Sequence, residues 1–174
     1  MSVGALARHL VSQWFNAERL LRAPAGDTPI AIWEHYERAA WVHAARDDEV
    51  NLEIRDGCEE LAAEGPEAML TLVARLQVEL PDVLQLPRSG SVAIPWQGWS
   101  LTEGDFLVTR MMEIVVHSDD LAASIEVPTP EFPDDVVTPV LDLLAGVAVR
   151  RHGQAAVVRA LSRPQRAPAS VSAF

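Results

Sequence analysis

LTEGDFLVTRMMEIVVHSDDLAASI, residues Leu101 to Ile125, is the stretch whose reading decides the fold. Apolar residues recur nearly all the way round its helical wheel, the pattern of a helix buried in a bundle rather than one lying on a surface. Arg110, Glu113, His117 and Asp120 interrupt that pattern at spacings of three and four. At about 100° per residue they fall within an arc of roughly 80°, one polar column on an otherwise apolar rod. Ionisable groups buried together are costly unless they pair or bind a metal. This helix is therefore the expected site.

The rest of the chain reads as further helices. The composition is 49% hydrophobic with 9 Gly in 174 residues, which favours one α-helical domain with a real core. Ser2 is an N-cap for a helix carrying Leu6, Leu10, Trp14 and Leu21, ended by Pro24. Helical pattern resumes from Ile30 to about Asn51, with Trp33 and Trp41 on nearly one face, and continues from Asn51 to Ala63. Pro66 starts a further helix that runs to Pro81 or Pro87. Arg88 to Ser100 changes to turn and extended signals, a loop or short hairpin holding Trp96 and Trp99. Thr102 caps the central helix with Asp105 three residues on. Asp134 and Asp135 open a helix that Gly153 ends, a shorter one follows, and a Pro/Ala/Ser tail closes the chain. The expected organisation is a helical bundle over residues 1–162 and a flexible tail over 163–174.

Charge and residue usage exclude several chemistries. The net charge is −11, yet no acidic residue follows Asp142, whereas Arg150, Arg151, Arg159, Arg163 and Arg166 do. The acidic body argues against nucleic acid as a partner, and the basic end reads as a solvated tail or a partner for that body. The chain has no Lys, so Schiff-base and lysine-nucleophile mechanisms are excluded. Cys58 lies among carboxylates in DGCEEL, which argues against a catalytic thiolate. No apolar run reaches the roughly 18 residues of a membrane span, and the N-terminus lacks the regions of a signal peptide. The expectation is a soluble cytoplasmic protein.

Glu113 and His117 stand at i and i+4, so both can reach one ion, which then needs a ligand from another segment. His9, His35, His43 and His152 are the other histidines. His9, in the middle of an apolar helix, is the best placed, since antiparallel packing would bring it opposite Glu113. His, Glu and His leave coordination positions open, as a catalytic metal requires. The plainer readings are a solvated i,i+4 contact for Glu113 and His117, a core histidine for His9, and an Arg110–Glu113 ion pair.

SVGALARHL at Ser2–Leu10, followed by R-x-x-E-x-x-x-H-x-x-D-L at Arg110–Leu121, resembles the N-terminal domain of mycothiol-dependent maleylpyruvate isomerases, within the DinB-like metalloprotein superfamily. The resemblance spans roughly residues 2 to 125. It implies a four-helix bundle of DinB type with a divalent metal, often zinc, held by His9, Glu113 and His117. It places Arg110 and Asp120 as supports of Glu113 and His117, and Arg110 is also the residue assigned to catalysis. It further implies mycothiol as cosubstrate, a small electrophile as substrate, and a transferase or isomerase reaction that needs no protein nucleophile. The alternative within the same fold is a non-catalytic bundle that binds a ligand or partner. The family carries a helix before the SVxxLxxHL motif, and here the chain starts at the motif. The expected bundle therefore lacks that first helix, gains a C-terminal one, and points to a homodimer through the apolar face left open. The family's separate C-terminal domain has no counterpart in the short segment after Ile125, which argues against maleylpyruvate itself as the substrate.

Overall fold

The capping chemistry at Ser2 starts the molecule. Its Oγ accepts the Ala5 amide at 3.1 Å, and α1 runs Val3–Arg22 until Pro24 follows its extended cap. In this computed structural model, residues 1–45, 47–86 and 90–174 are described. After α1 come α2 (Ile32–Arg38), α3 (Ala40–His43), α4 (Glu49–Ala62) and α5 (Pro66–Leu84). Strands β1 (Ser91–Ile94) and β2 (Trp99–Thr102) precede α6 (Glu103–Ser124), α7 (Asp134–His152) and α8 (Gln154–Ser162). The architecture is an all-α bundle with one small antiparallel hairpin among the described residues. No helix among them is long and apolar enough to cross a membrane.

α1 is the hub: it packs on α4, α5 and α6, while α7 covers the opposite side of α6. One core cluster joins Ala17, Leu20 and Leu21 of α1 to Val83 of α5, the hairpin residues Val92, Ile94 and Leu101, and Phe106 of α6. A second joins Tyr36, Ala39 and Val42 to Met112 of α6 and to Val140, Leu143 and Val147 of α7. Each fully buried large side chain, such as Phe106 or Leu76, contributes roughly 1.5–3 kcal/mol. α6 thus lies between two cores, which fixes its rotation and leaves Arg110, Glu113 and His117 facing the α1 side.

Three expectations need correcting. Leu101 and Thr102 belong to β2, paired with Val92 and Ser91, so α6 starts at Glu103. Thr102 is its N-cap as read, its side chain accepting the Asp105 amide at 3.1 Å. α6 is also less buried than its composition suggests: Phe106, Thr109, Met112 and Ala122 are its buried residues. α1, α7 and the hairpin pack on α6, and the rest of its surface stays partly open.

The third correction concerns the helix read from Ile30 to Asn51. It breaks at Ala39, whose backbone is extended, and α4 begins only at Glu49. Packing overrides propensity here. The Trp33 ring lies against Gly146 of α7, where any Cβ would overlap it, while Trp41 packs on Phe174. The His43 ring donates to the Glu37 carbonyl at 2.9 Å, satisfying an acceptor that the break releases.

The hairpin matches its reading from Gly90 onward; Arg88 and Ser89, where the loop was expected to begin, lie outside the described residues. Past α8, Pro164–Arg166 form one 3-10 turn. Ala173 is buried, and Phe174 stacks near Tyr36 and Trp41 at ring-centre distances of 5.4 and 5.0 Å. Arg151 and His152 hold the carbonyls of Ala173 and Ser172 at 3.2 and 2.7 Å.

Candidate metal centre

Two helices bring three donors to one point. His9 lies two turns into α1, and Glu113 and His117 stand one turn apart on the facing side of α6. Glu113 Oε2 is 3.4 Å from His9 Nε2 and 3.1 Å from His117 Nε2. The rings of His9 and His117 meet edge to face, with centroids 4.6 Å apart. One donor atom from each of the three residues lies within 4.8 Å of the others. Their side chains are 15–26% exposed, so the cluster is lidded but reachable.

This donor set fits a divalent ion. Bonds of about 2.0–2.1 Å at tetrahedral angles put neighbouring donors about 3.3 Å apart, close to the separations seen. Two imidazole nitrogens and a carboxylate oxygen suit zinc and similar borderline ions.

Electrostatics agree with a site preset for a cation. Burial alone would raise the Glu113 carboxyl, but hydrogen bonds from His117 and His9 and the charge of Arg110 hold it well below the usual carboxylate range. Burial alone would lower His117, yet its bonds to Glu113 and Asp120 leave it raised. Asp120 Oδ2 accepts from His117 Nδ1 at 2.9 Å, which aims Nε2 at the cluster.

Arg110 takes a different partner from the one read. No hydrogen bond or ion pair links it to Glu113 among the described residues. It donates from Nη1 to Gln13 Oε1 and from Nε to Thr109 Oγ1 at 3.2 Å, with its guanidinium over the Phe106 ring at 5.5 Å. The side chain is long enough to cross to α1, so it bridges helices and acts on Glu113 through charge alone.

Three neighbours were given no place beside the donors by the sequence. Gln13, 2% exposed, bridges His9 and Arg110. Cys58 of α4 places Sγ 3.6 Å from His9 Nδ1; burial pushes its thiol up, the Arg8 charge offsetting only part, so desolvation matters more than the nearby carboxylates. His35 is buried and accepts the Trp99 indole N–H at Nδ1, 3.0 Å away. Burial, helped by Arg110, lowers it to about 4 and keeps it neutral. The signal for Gln13 was its place one turn after His9; nothing local marked the others.

Three of the tryptophans take separate places in the fold. Trp96 is half exposed beyond the end of β1 with Arg19 over its ring, Trp99 is bonded to His35, and Trp14 is half-buried on α1.

Residues 2–122 match a family model described as the mycothiol maleylpyruvate isomerase N-terminal domain. That segment contains His9, Glu113, His117 and Asp120, and it stops short of α7 and α8. Searches of curated proteins and of solved structures returned no match.

Proposed function

Because the chain belongs to the mycothiol maleylpyruvate isomerase N-terminal domain family, we propose that it is a metal-dependent protein that uses a mycothiol-type thiol to transform a small electrophile, as an S-transferase or isomerase. The observation that carries this reading is the convergence of His9 Nε2, Glu113 Oε2 and His117 Nε2. These residues would hold the ion, zinc by the donor set. A divalent ion bound there supplies positive charge that favours a coordinated thiol's deprotonated form.

The chain's own groups do the rest. Asp120 orients the His117 ring through Nδ1, so that Nε2, which lies 3.1 Å from Glu113 Oε2, would face the ion. Arg110, tied to Gln13, keeps a fixed positive charge beside Glu113, and it is our candidate catalytic residue. Neither a lysine nor a cysteine supplies a nucleophile: Lys is absent, and Cys58 is buried with its thiol raised. An external thiol meets that lack. A cytoplasmic, homodimeric protein completes the proposal; the exposed Leu70 and Val78 on α5 give a second copy apolar surface to cover.

The test is metal content and turnover. Chelator-stripped protein reloaded with zinc is expected to bind one ion per chain, and His117→Ala to abolish that. The loaded protein is then expected to convert a small electrophile only when mycothiol is present, the thiol being consumed in S-transfer and regenerated in isomerisation. Absence of bound metal would refute the reading. Full metal binding with no thiol-dependent conversion across a panel of electrophiles would favour the non-catalytic, ligand-binding bundle.

A further inference from the structure

A ligating histidine is aimed by whatever its second ring nitrogen bonds. His117 has Asp120 for this purpose. His9 has no carboxylate at its Nδ1, which instead faces Cys58 Sγ at 3.6 Å. Cys58 is buried on α4, a helix that supplies none of the three donors. It reaches His9 because the adjacent Glu59 clamps the start of α1, accepting the Ser2 amide and hydroxyl at 2.6 Å each.

The other flank of His9 is held by Gln13. Arg110 donates to Gln13 Oε1, which fixes the orientation of that amide and turns its nitrogen toward His9. Nε2 of Gln13 donates to the His9 carbonyl at 3.0 Å and lies 3.4 Å from His9 Nε2. His9 Nε2 also lies 3.4 Å from Glu113 Oε2; with an ion taking the Nε2 lone pair, the ring proton would sit on Nδ1, facing the sulfur. Gln13 is one turn after His9, and Arg110 one turn before Glu113. The strut therefore spans the two helices beside the donors themselves.

We propose that Cys58 and Gln13 are positioning residues of the metal centre: Cys58 Sγ accepts the Nδ1–H of His9, Gln13 with Arg110 locks α1 to α6, and His9 Nε2 is thereby presented to the ion. The inference rests on reading His9 as a metal ligand. It gives the only cysteine of the chain a task that needs no thiolate. It also explains a polar side chain as buried as Gln13 between packed helices, since every hydrogen bond it makes serves one of the two helices that carry the donors.

Wild type, Cys58→Ala, Cys58→Ser and Gln13→Met test this, the last keeping side-chain volume without the amide. Zinc affinity is measured by competition with a chromophoric chelator, and cobalt(II) is loaded to read the visible absorption of the site. Cys58→Ala is expected to weaken zinc about tenfold, the lower end for outer partners of a ligand, and to shift the cobalt bands. Cys58→Ser is expected to recover most of both, because it restores an acceptor. Gln13→Met is expected to weaken zinc severalfold. A nitrogen-15 spectrum of the zinc-loaded wild type should show His9 protonated at Nδ1. Unchanged affinity and cobalt spectrum in Cys58→Ala and Gln13→Met, in a wild type that does bind zinc, would overturn this inference and leave the proposed function standing. A wild type that binds no metal would overturn both.

Discussion

Removing Asp120 separates metal binding from fold stability. Its Oδ2 accepts from His117 Nδ1 at 2.9 Å, yet its side chain is 53% exposed. Solvent screening at that exposure limits the contact's value to the metal-free fold to below about 1 kcal/mol. Its value to a bound ion is larger, because losing it frees the imidazole to rotate and lowers its basicity. Outer partners of this kind are worth about 10–100-fold in metal affinity, and exposure puts Asp120 at the lower end. Asp120→Ala is thus expected to weaken zinc about tenfold, about 1.4 kcal/mol, while chemical denaturation of the metal-free protein changes by less than about 1 kcal/mol. Asp120→Asn, which retains an acceptor oxygen, should fall between. Chelator competition and urea titration on the same preparations give both numbers. Zinc affinity within twofold of wild type in Asp120→Ala would refute the reasoning, as would a stability loss large enough to account for the weaker binding.

Zinc should bind more weakly as pH falls, with competition beginning above the ordinary histidine value because His117 is raised; isothermal titrations across pH 5 to 8 check this. In the metal-free protein the signs oppose. The raised His117 stabilises below its ordinary value and loses that contribution as pH rises through the folded one, whereas the depressed Glu113 stabilises above the usual carboxylate value and loses its contribution as pH falls toward its own. Gly146→Ala should destabilise by about 1–3 kcal/mol, since the new methyl overlaps the Trp33 ring; an unchanged urea midpoint would count against that packing. Trp99→Phe leaves the buried His35 Nδ1 without its donor and should cost about 1–3 kcal/mol, with a rise in the His35 titration visible by NMR.

Much of this protein was legible before any coordinates. Caps at Ser2 and Thr102, the breaks at Pro24 and Gly153, and the periodicity of α1, α5, α6 and α7 are local properties, set by backbone sterics and by which residues can satisfy a free amide. The polar column of α6 follows from spacing alone, and the structure sets Glu113 and His117 beside His9 as that spacing suggested. The break at Ala39 was not legible, because nothing in IWEHYERAAWVH opposes a helix. Across the break, Trp33 meets Gly146 and Trp41 meets Phe174, contacts that local sequence does not show.

The sequence by itself therefore determined that the chain is helical, the ends of α1 and α7, and the donors that share one face of α6. Only the tertiary structure decided which groups meet across helices: that Arg110 turns to Gln13 and not to Glu113, that Cys58 stands behind His9, and that Trp99 feeds His35. The reason is physical. Periodicity assigns a residue to a face, but its partner depends on how two helices rotate and slide against each other. Here that choice was made by the two apolar cores on either side of α6, through residues far in sequence from the ones they align.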